Sequence, residues 1–171
     1  VKLHPSLRKT LKKFQNSPEC SITVDKAFSR VIRTCATQSR KGQNGTWIVP
    51  SMVEAYEQLH ALGVAHSVET WVDDKLVGGL YFVSLGKAVF GESMFAHATD
   101  ASKIALAALV CIAKAQGVPW IDCQQNTRHL ASLGAAEIPR KTFVADIQAL
   151  SSEPDPLWVF ESVYWSQLLS R

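Results

Sequence analysis

Apolar positions in the first third of the chain recur at helical spacing. Leu7, Leu11 and Phe14 share one face of a segment over residues 6–14, with Ser6 placed as its N-cap, while Arg8, Lys9, Lys12 and Lys13 crowd the other face. Ser17-Pro18 breaks that helix, and residues 20–24 read as a short strand. Phe28, Val31, Ile32 and Cys35 stripe a second helix that Asp25 is placed to cap, and residues 38–46 form a polar loop. Ser51 and Glu54 make a capping box for a third helix that runs to about Leu62, where Gly63 stops it.

The period then changes. Residues 65–72 alternate, Asp73-Asp74-Lys75 is a turn, residues 76–84 are extended, Gly86-Lys87 turns again, and residues 88–95 return, which predicts an antiparallel meander. Thr99 or Asp100 caps an apolar helix from Ala101 to Gln116 that Gly117 ends. Pro119 to Cys123 reads as a short buried strand in the same sheet, Leu130 to Leu133 as one helical turn, and residues 139–150 as a helix. The tail over 151–171 carries Trp158, Phe160, Tyr164 and Trp165, aromatic enough to dock on the body. This order predicts an α+β fold with a mixed, mainly antiparallel sheet flanked by helices. It matches the acyl-CoA N-acyltransferase (GNAT-like) architecture, in which the central helix follows the hairpin and the next strand opens the acceptor site.

Composition narrows the classes. A chain of 171 residues fits a single domain. No apolar run reaches the ~18–20 residues that span a membrane, and the basic N-terminal segment lacks the apolar stretch of a signal peptide. The chain starts with Val, which reads as a processed protein or a piece of a longer one. Four cysteines, Cys20, Cys35, Cys111 and Cys123, match neither zinc nor redox spacings, and Cys111 and Cys123 read as small buried hydrophobes in a cytosolic protein. The five histidines show no metal-ligand spacing. Charge is asymmetric: residues 1–41 hold ten Lys/Arg against two acids, net +8, and the remainder holds eight against thirteen, net −5. The basic third is either a solvated surface or the footprint of a phosphate-rich partner.

Candidate chemistry gathers where strands end. Glu92 terminates the hairpin's apolar run, and Asp122 and Gln124 end the later strand. Carboxylates in apolar sequence are costly unless paired or hydrogen-bonded, so the combination reads as a site. Taken singly, Asp122 could cap the following turn and Glu92 could bond backbone.

Longer motifs carry a resemblance. Gly91-Glu-Ser-Met-Phe95, Ile121-Asp-Cys-Gln124, and His129-Leu-Ala-Ser-Leu-Gly-Ala135 with Ile138-Pro-Arg140 resemble the leucyl/phenylalanyl-tRNA–protein transferases. Thr46-Trp-Ile48, Ala65-His-Ser-Val-Glu69 and Leu76-Val-Gly-Gly79 match as well, so the likeness covers roughly residues 5–150. That family moves Leu, Phe or Met from aminoacyl-tRNA to proteins with N-terminal Arg or Lys, creating an N-degron. The resemblance implies Asp122 and Gln124 as the catalytic pair, and Glu92 with Gln124 as holders of the donor α-amino group. It implies Trp47 stacked on the terminal adenosine. Leu80, Val89, Met94, Leu106 and Leu109 would line the donor side-chain pocket, the alternative for each being ordinary core. Arg8, Lys9, Lys12 and Lys13 would meet the tRNA backbone. It calls for no cofactor, metal or membrane, and places the protein in the cytoplasm.

The chain departs from the family in lacking nearly all of an N-terminal domain, and in having Phe82 where Gly is usual and Val89 where Phe is usual. Two readings compete: a shortened, inactive relative that still binds tRNA or a partner, and a CoA-dependent N-acetyltransferase. The second needs a glycine-containing pyrophosphate loop, whereas Phe95 to Lys103 contains no glycine. An aminoacyl transferase to cell-wall peptides is a more distant alternative.

Overall fold

Two apolar clusters, one on each face of a single sheet, organise the chain. The computed structural model describes residues 2–38 and 48–170. The elements are α1 (Pro5–Gln15), β1 (Cys20–Val24), α2 (Phe28–Thr37), α3 (Pro50–Ala61), β2 (Ala65–Val72), β3 (Lys75–Leu85), β4 (Ala88–Ala96), α4 (Ala101–Ala115), β5 (Ile121–Asp122), α5 (Arg128–Ser132), α6 (Arg140–Leu150), a 3₁₀ turn (Ser162–Trp165) and α7 (Ser166–Leu169). The strands lie in the order β1-β2-β3-β4-β5. The first four are antiparallel neighbours, and β5 runs parallel to β4. The sheet is therefore mixed and mainly antiparallel, with the central helix α4 between hairpin and parallel strand, as the GNAT-like order requires.

One face buries Leu7, Leu11 and Phe14 of α1, the apolar side of α4, and Trp158, Trp165 and Leu168 of the tail. The other buries Phe28, Val31, Ile32 and Cys35 of α2 with Val53 of α3, Trp71 and Tyr81. The meander follows from its turns. Asp73 and Asp74 both take positive φ, 49° and 57°, as a two-residue hairpin loop of the strand-compatible twist demands. At Gly86, φ is 53°, and an added Cβ would stand 2.5 Å from the Glu153 carbonyl, so this turn admits the tail only as glycine. Asp155 then accepts from the Gly86 amide, and Trp158 packs edge-on against Phe82 with centroids 4.7 Å apart. The tail docks as its aromatics imply.

Several local readings give way. Helix α1 begins one residue earlier than Ser6 because Pro5 presets φ for the first helical position, with His4 as N-cap. Pro50 likewise starts α3, and the Ser51–Glu54 capping box is not formed. Asp25 caps nothing in α2: with φ 59°, it accepts from the Ser67 amide and lies 2.8 Å from the His66 ring. Asp100 precedes α4 in a left-handed conformation, and its carboxylate takes Lys103 at 2.7 Å instead of a helix amide. Strand β2 does not alternate; it is buried on both faces because helices cover both sides. The expected strand over 119–123 shrinks to Ile121–Asp122 and is half-buried. Among the described residues, no helix is long and apolar enough to cross a membrane.

Candidate active site

Strand β4 is irregular where the chemistry was expected. Tyr81 pairs with Ser93 and Phe82 with Gly91, so Glu92 is the extra residue of a β-bulge with no partner across the ladder. Bulges re-aim a side chain, and here the carboxylate reaches two neighbours from distant segments. Gln124 Nε2 donates to Glu92 Oε1 at 3.0 Å and to the Gly91 carbonyl at 2.9 Å. Tyr56, half-buried on α3, hydrogen-bonds the same carboxylate. Burial, then the Glu92 charge and that hydrogen bond, push the Tyr56 phenol well above its usual range, so it stays a donor. Tyr56 also packs edge-on against Tyr81 at 5.1 Å, which fixes its ring.

Asp122 and Gln124 meet through the main chain. Asp122 Oδ1 accepts from the Gln124 amide N–H at 2.8 Å, holding Gln124 at φ 59°. The expected pair is thus linked by a backbone tether. Both acceptors of Nε2 are oxygens without hydrogens, so the amide orientation is set by chemistry. With its two N–H bonds spent on Gly91 and Glu92, Gln124 has its carbonyl oxygen left to accept a proton donor.

The expected burial of these acids is corrected. Glu92 and Asp122 are half-buried and Gln124 is exposed. Where β4 and β5 part after two paired residues, Asp122, Cys123 and Gln124 line a groove of about 1000 Å³ between α4 and the α5–α6 segment. Leu106, Val110, Trp120, Ile138 and Phe143 give it an apolar floor and wall. Cys123 faces this groove instead of sitting in the core, and burial with the nearby Asp122 charge raises its thiol. Among the residues expected to line a donor pocket, Leu106 reaches the groove. Leu80, Val89 and Leu109 are sealed in the core at 4%, 0% and 1% exposure, and Met94 is half-buried against them. Trp47 lies outside the described residues.

Lys9, Lys12 and Lys13 project into solvent from α1, but Arg8 is half-buried and its Nη1 donates to the Leu169 carbonyl. Arg8 therefore braces the tail. Sequence reasoning missed Tyr56, because nothing in a helical stripe marks one aromatic as facing a carboxylate 36 positions away. Among the described residues, no cluster of three or more His, Cys, Asp or Glu could hold a metal ion.

The mixed sheet thus parts beside a bulged strand, and the Gln124 side chain is held against Glu92 at that gap, beside an open groove. The family model for leucyl/phenylalanyl-tRNA protein transferase matches residues 1–148, and the chain belongs to that family. A Polaromonas sp. protein named leucyl/phenylalanyl-tRNA–protein transferase is 63% identical over 99% of this chain and 66% of its own length. The protein of that name from Albidiferax ferrireducens is 56% identical over the same shares. The chain thus spans just under two thirds of the length of these relatives. A Brucella ribosomal-protein-alanine N-acetyltransferase superposes with TM-score 0.49 at 16% identity, over 70% of this chain and 91% of its own.

Proposed function

We propose that this single domain transfers Leu, Phe or Met from aminoacyl-tRNA to the N-terminal Arg or Lys of acceptor proteins in the cytoplasm, marking them as N-degrons. The observation that carries this reading is Gln124: its N–H groups are spent on Gly91 and Glu92, which leaves its carbonyl oxygen as acceptor, and the residue lines the groove.

The ester of aminoacyl-tRNA is already activated, and an α-amine with a pKa near 7.7–8.0 is partly neutral at pH 7. Strong acid–base chemistry is unnecessary, so positioning dominates. In this reading the Gln124 carbonyl accepts a hydrogen bond from the attacking amine and aims its lone pair at the ester carbon. The new N–C bond forms, the ester C–O bond breaks, and the terminal ribose hydroxyl leaves with a proton that the amine releases. A carboxylate accepts up to about four hydrogen bonds, so Glu92 can hold the donor's α-ammonium while keeping Gln124 and Tyr56. Asp122 fixes the backbone from which Gln124 projects. Trp47 would stack on the terminal adenosine, base–aromatic stacking contributing ~1–3 kcal/mol. Lys9, Lys12 and Lys13 would take phosphates without reading sequence. Leu106 of the groove remains a candidate for donor side-chain contact.

A CoA-dependent reading finds less support. Phe95 to Lys103, the run into α4, has no glycine for a pyrophosphate loop, and the Asp100 carboxylate stands beside the first turn of α4, where it would repel pyrophosphate. The test is transfer of radiolabelled leucine from leucyl-tRNA to an Arg-starting peptide. Asp122→Ala and Gln124→Ala should each remove most transfer with the unfolding midpoint unchanged, and near-normal rates in both would refute the assignment. Binding of tRNA without transfer by the unmodified chain would favour the inactive relative.

A further inference from the structure

The face of the sheet that carries Tyr56 and Glu92 also carries a basic pair that the α1 lysines do not account for. Lys26 Nζ lies 5.0 Å from the centre of the Trp71 ring, and the Arg30 guanidinium lies 5.5 Å from it. Both side chains are exposed, while Trp71 is only 7% exposed. Arg33, nearly one turn further along α2, is paired with Glu57 at 3.0 Å. Among the described residues, no carboxylate stands within ion-pair distance of Lys26 or Arg30. Two like charges brought to one ring without a counter-ion raise the local positive potential and favour an anion there.

The platform beneath them is built. Trp71 Nε1 donates to Thr23 Oγ1 at 2.7 Å. Thr23 in turn donates to Glu69, which is wholly buried and also takes Ser67 and the Ala27 amide. The indole cannot swing, so the cations stand over a fixed plane. The spacing also fits. Trp71 lies two strands and about four residues from Glu92, since Ser67 of β2 pairs with Tyr81 and Tyr81 pairs with Ser93. Strand spacings of ~4.8 Å and rises of ~3.3 Å put the pair roughly 15–20 Å from Glu92.

We propose that Lys26 and Arg30, aligned over Trp71, form a clamp for backbone phosphates of the donor RNA on the α2–α3 face, in addition to the α1 lysines on the opposite face. The RNA then engages both sides of the edge strand β1. This inference rests on the tRNA reading, and the experiment separates the two.

Binding of leucyl-tRNA to the 171-residue chain is measured across a salt series. The Lys26→Ala/Arg30→Ala variant should flatten the slope of log affinity against log salt by roughly 1.4–1.8, at ~0.7–0.9 per lost phosphate contact. Lys26→Arg/Arg30→Lys should keep the wild-type slope, and Arg33→Ala should not change it. Lys26→Gln/Arg30→Gln serves if the alanine pair disturbs folding, read by circular dichroism. If the Lys9, Lys12 and Lys13 triple alanine variant flattens the slope and the Lys26/Arg30 variant does not, the clamp is refuted and the tRNA reading stands. If the unmodified chain binds no tRNA, both fall. If the Lys26/Arg30 variant loses an acidic acceptor polypeptide and not tRNA, the clamp is overturned in favour of a protein contact.

Discussion

Glu69 and Glu92 belong to adjoining parts of one sheet and share a side-chain type, yet the fold treats them oppositely. Glu69 is on β2, wholly buried, with Thr23, Ser67 and the Ala27 amide all donating to it. Its hydrogen bonds are internal and complete. Glu92 is on a bulge, half-exposed, bonded by Gln124 and Tyr56, and open to the parting of β4 and β5. A closed set of donors makes a carboxylate part of the framework; an open set leaves it able to bind something else. The difference lies in ladder geometry: Glu69 pairs in register with Thr23 and Gly79, whereas Glu92 pairs with nothing.

The comparison breaks most visibly in stability. Glu69→Ala leaves two hydroxyls and an amide without their acceptor in the core and should cost about 3 kcal/mol. Glu92→Gln should shift the urea midpoint little but cut transfer by about 100-fold, equivalent to ~2.7 kcal/mol in barrier height. Equal effects of the two changes on the midpoint would erase the distinction. Gln124→Glu places a carboxylate against Glu92 and the Gly91 carbonyl, and repulsion should cut transfer by tens of fold at pH 7.5, partly relieved at pH 6 as one acid takes up a proton. Tyr56→Phe, removing one of the two side-chain donors to Glu92, should cost roughly ten-fold in rate with the fold intact. The smallest effect is in pH dependence. Burial raises the Glu69 carboxyl above its ordinary value of 4.5 in the folded state. The stability this contributes is full below that value and is lost as pH rises through the raised one. Denaturant titrations should show that step in the wild type and not in Glu69→Gln.

Much of the frame was legible because the turns are chemically explicit. Asp73-Asp74 and Gly86-Lys87 bound the strands to within a residue or two, since positive φ and tight reversal leave few residue types. Helix faces were legible for the same reason: Leu7, Leu11, Phe14, Phe28, Val31 and Ile32 are all buried. Caps were less so, since Ser6 and Ser51 compete with prolines one place earlier, and Asp25 and Asp100 found partners that only the assembled sheet supplies. At the site, the motif residues Glu92, Asp122 and Gln124 converge, but the bulge that makes this possible has no sequence signature. Apolar side chains carry no label separating pocket from core, and Leu80, Val89 and Leu109 went to the core. Phe82, departing from a usual glycine, fills space against Trp158 of the tail, which explains the bulk by packing.

Gln124 stands at φ 59°, a conformation that costs an ordinary side chain about 1–2 kcal/mol relative to glycine. A population of this gene selected for heat resistance alone would therefore drift toward glycine or asparagine at 124. On the role proposed for Gln124, such survivors would be sturdier and silent, and a glutamine that persisted under that pressure would mark a lineage still selected for that role.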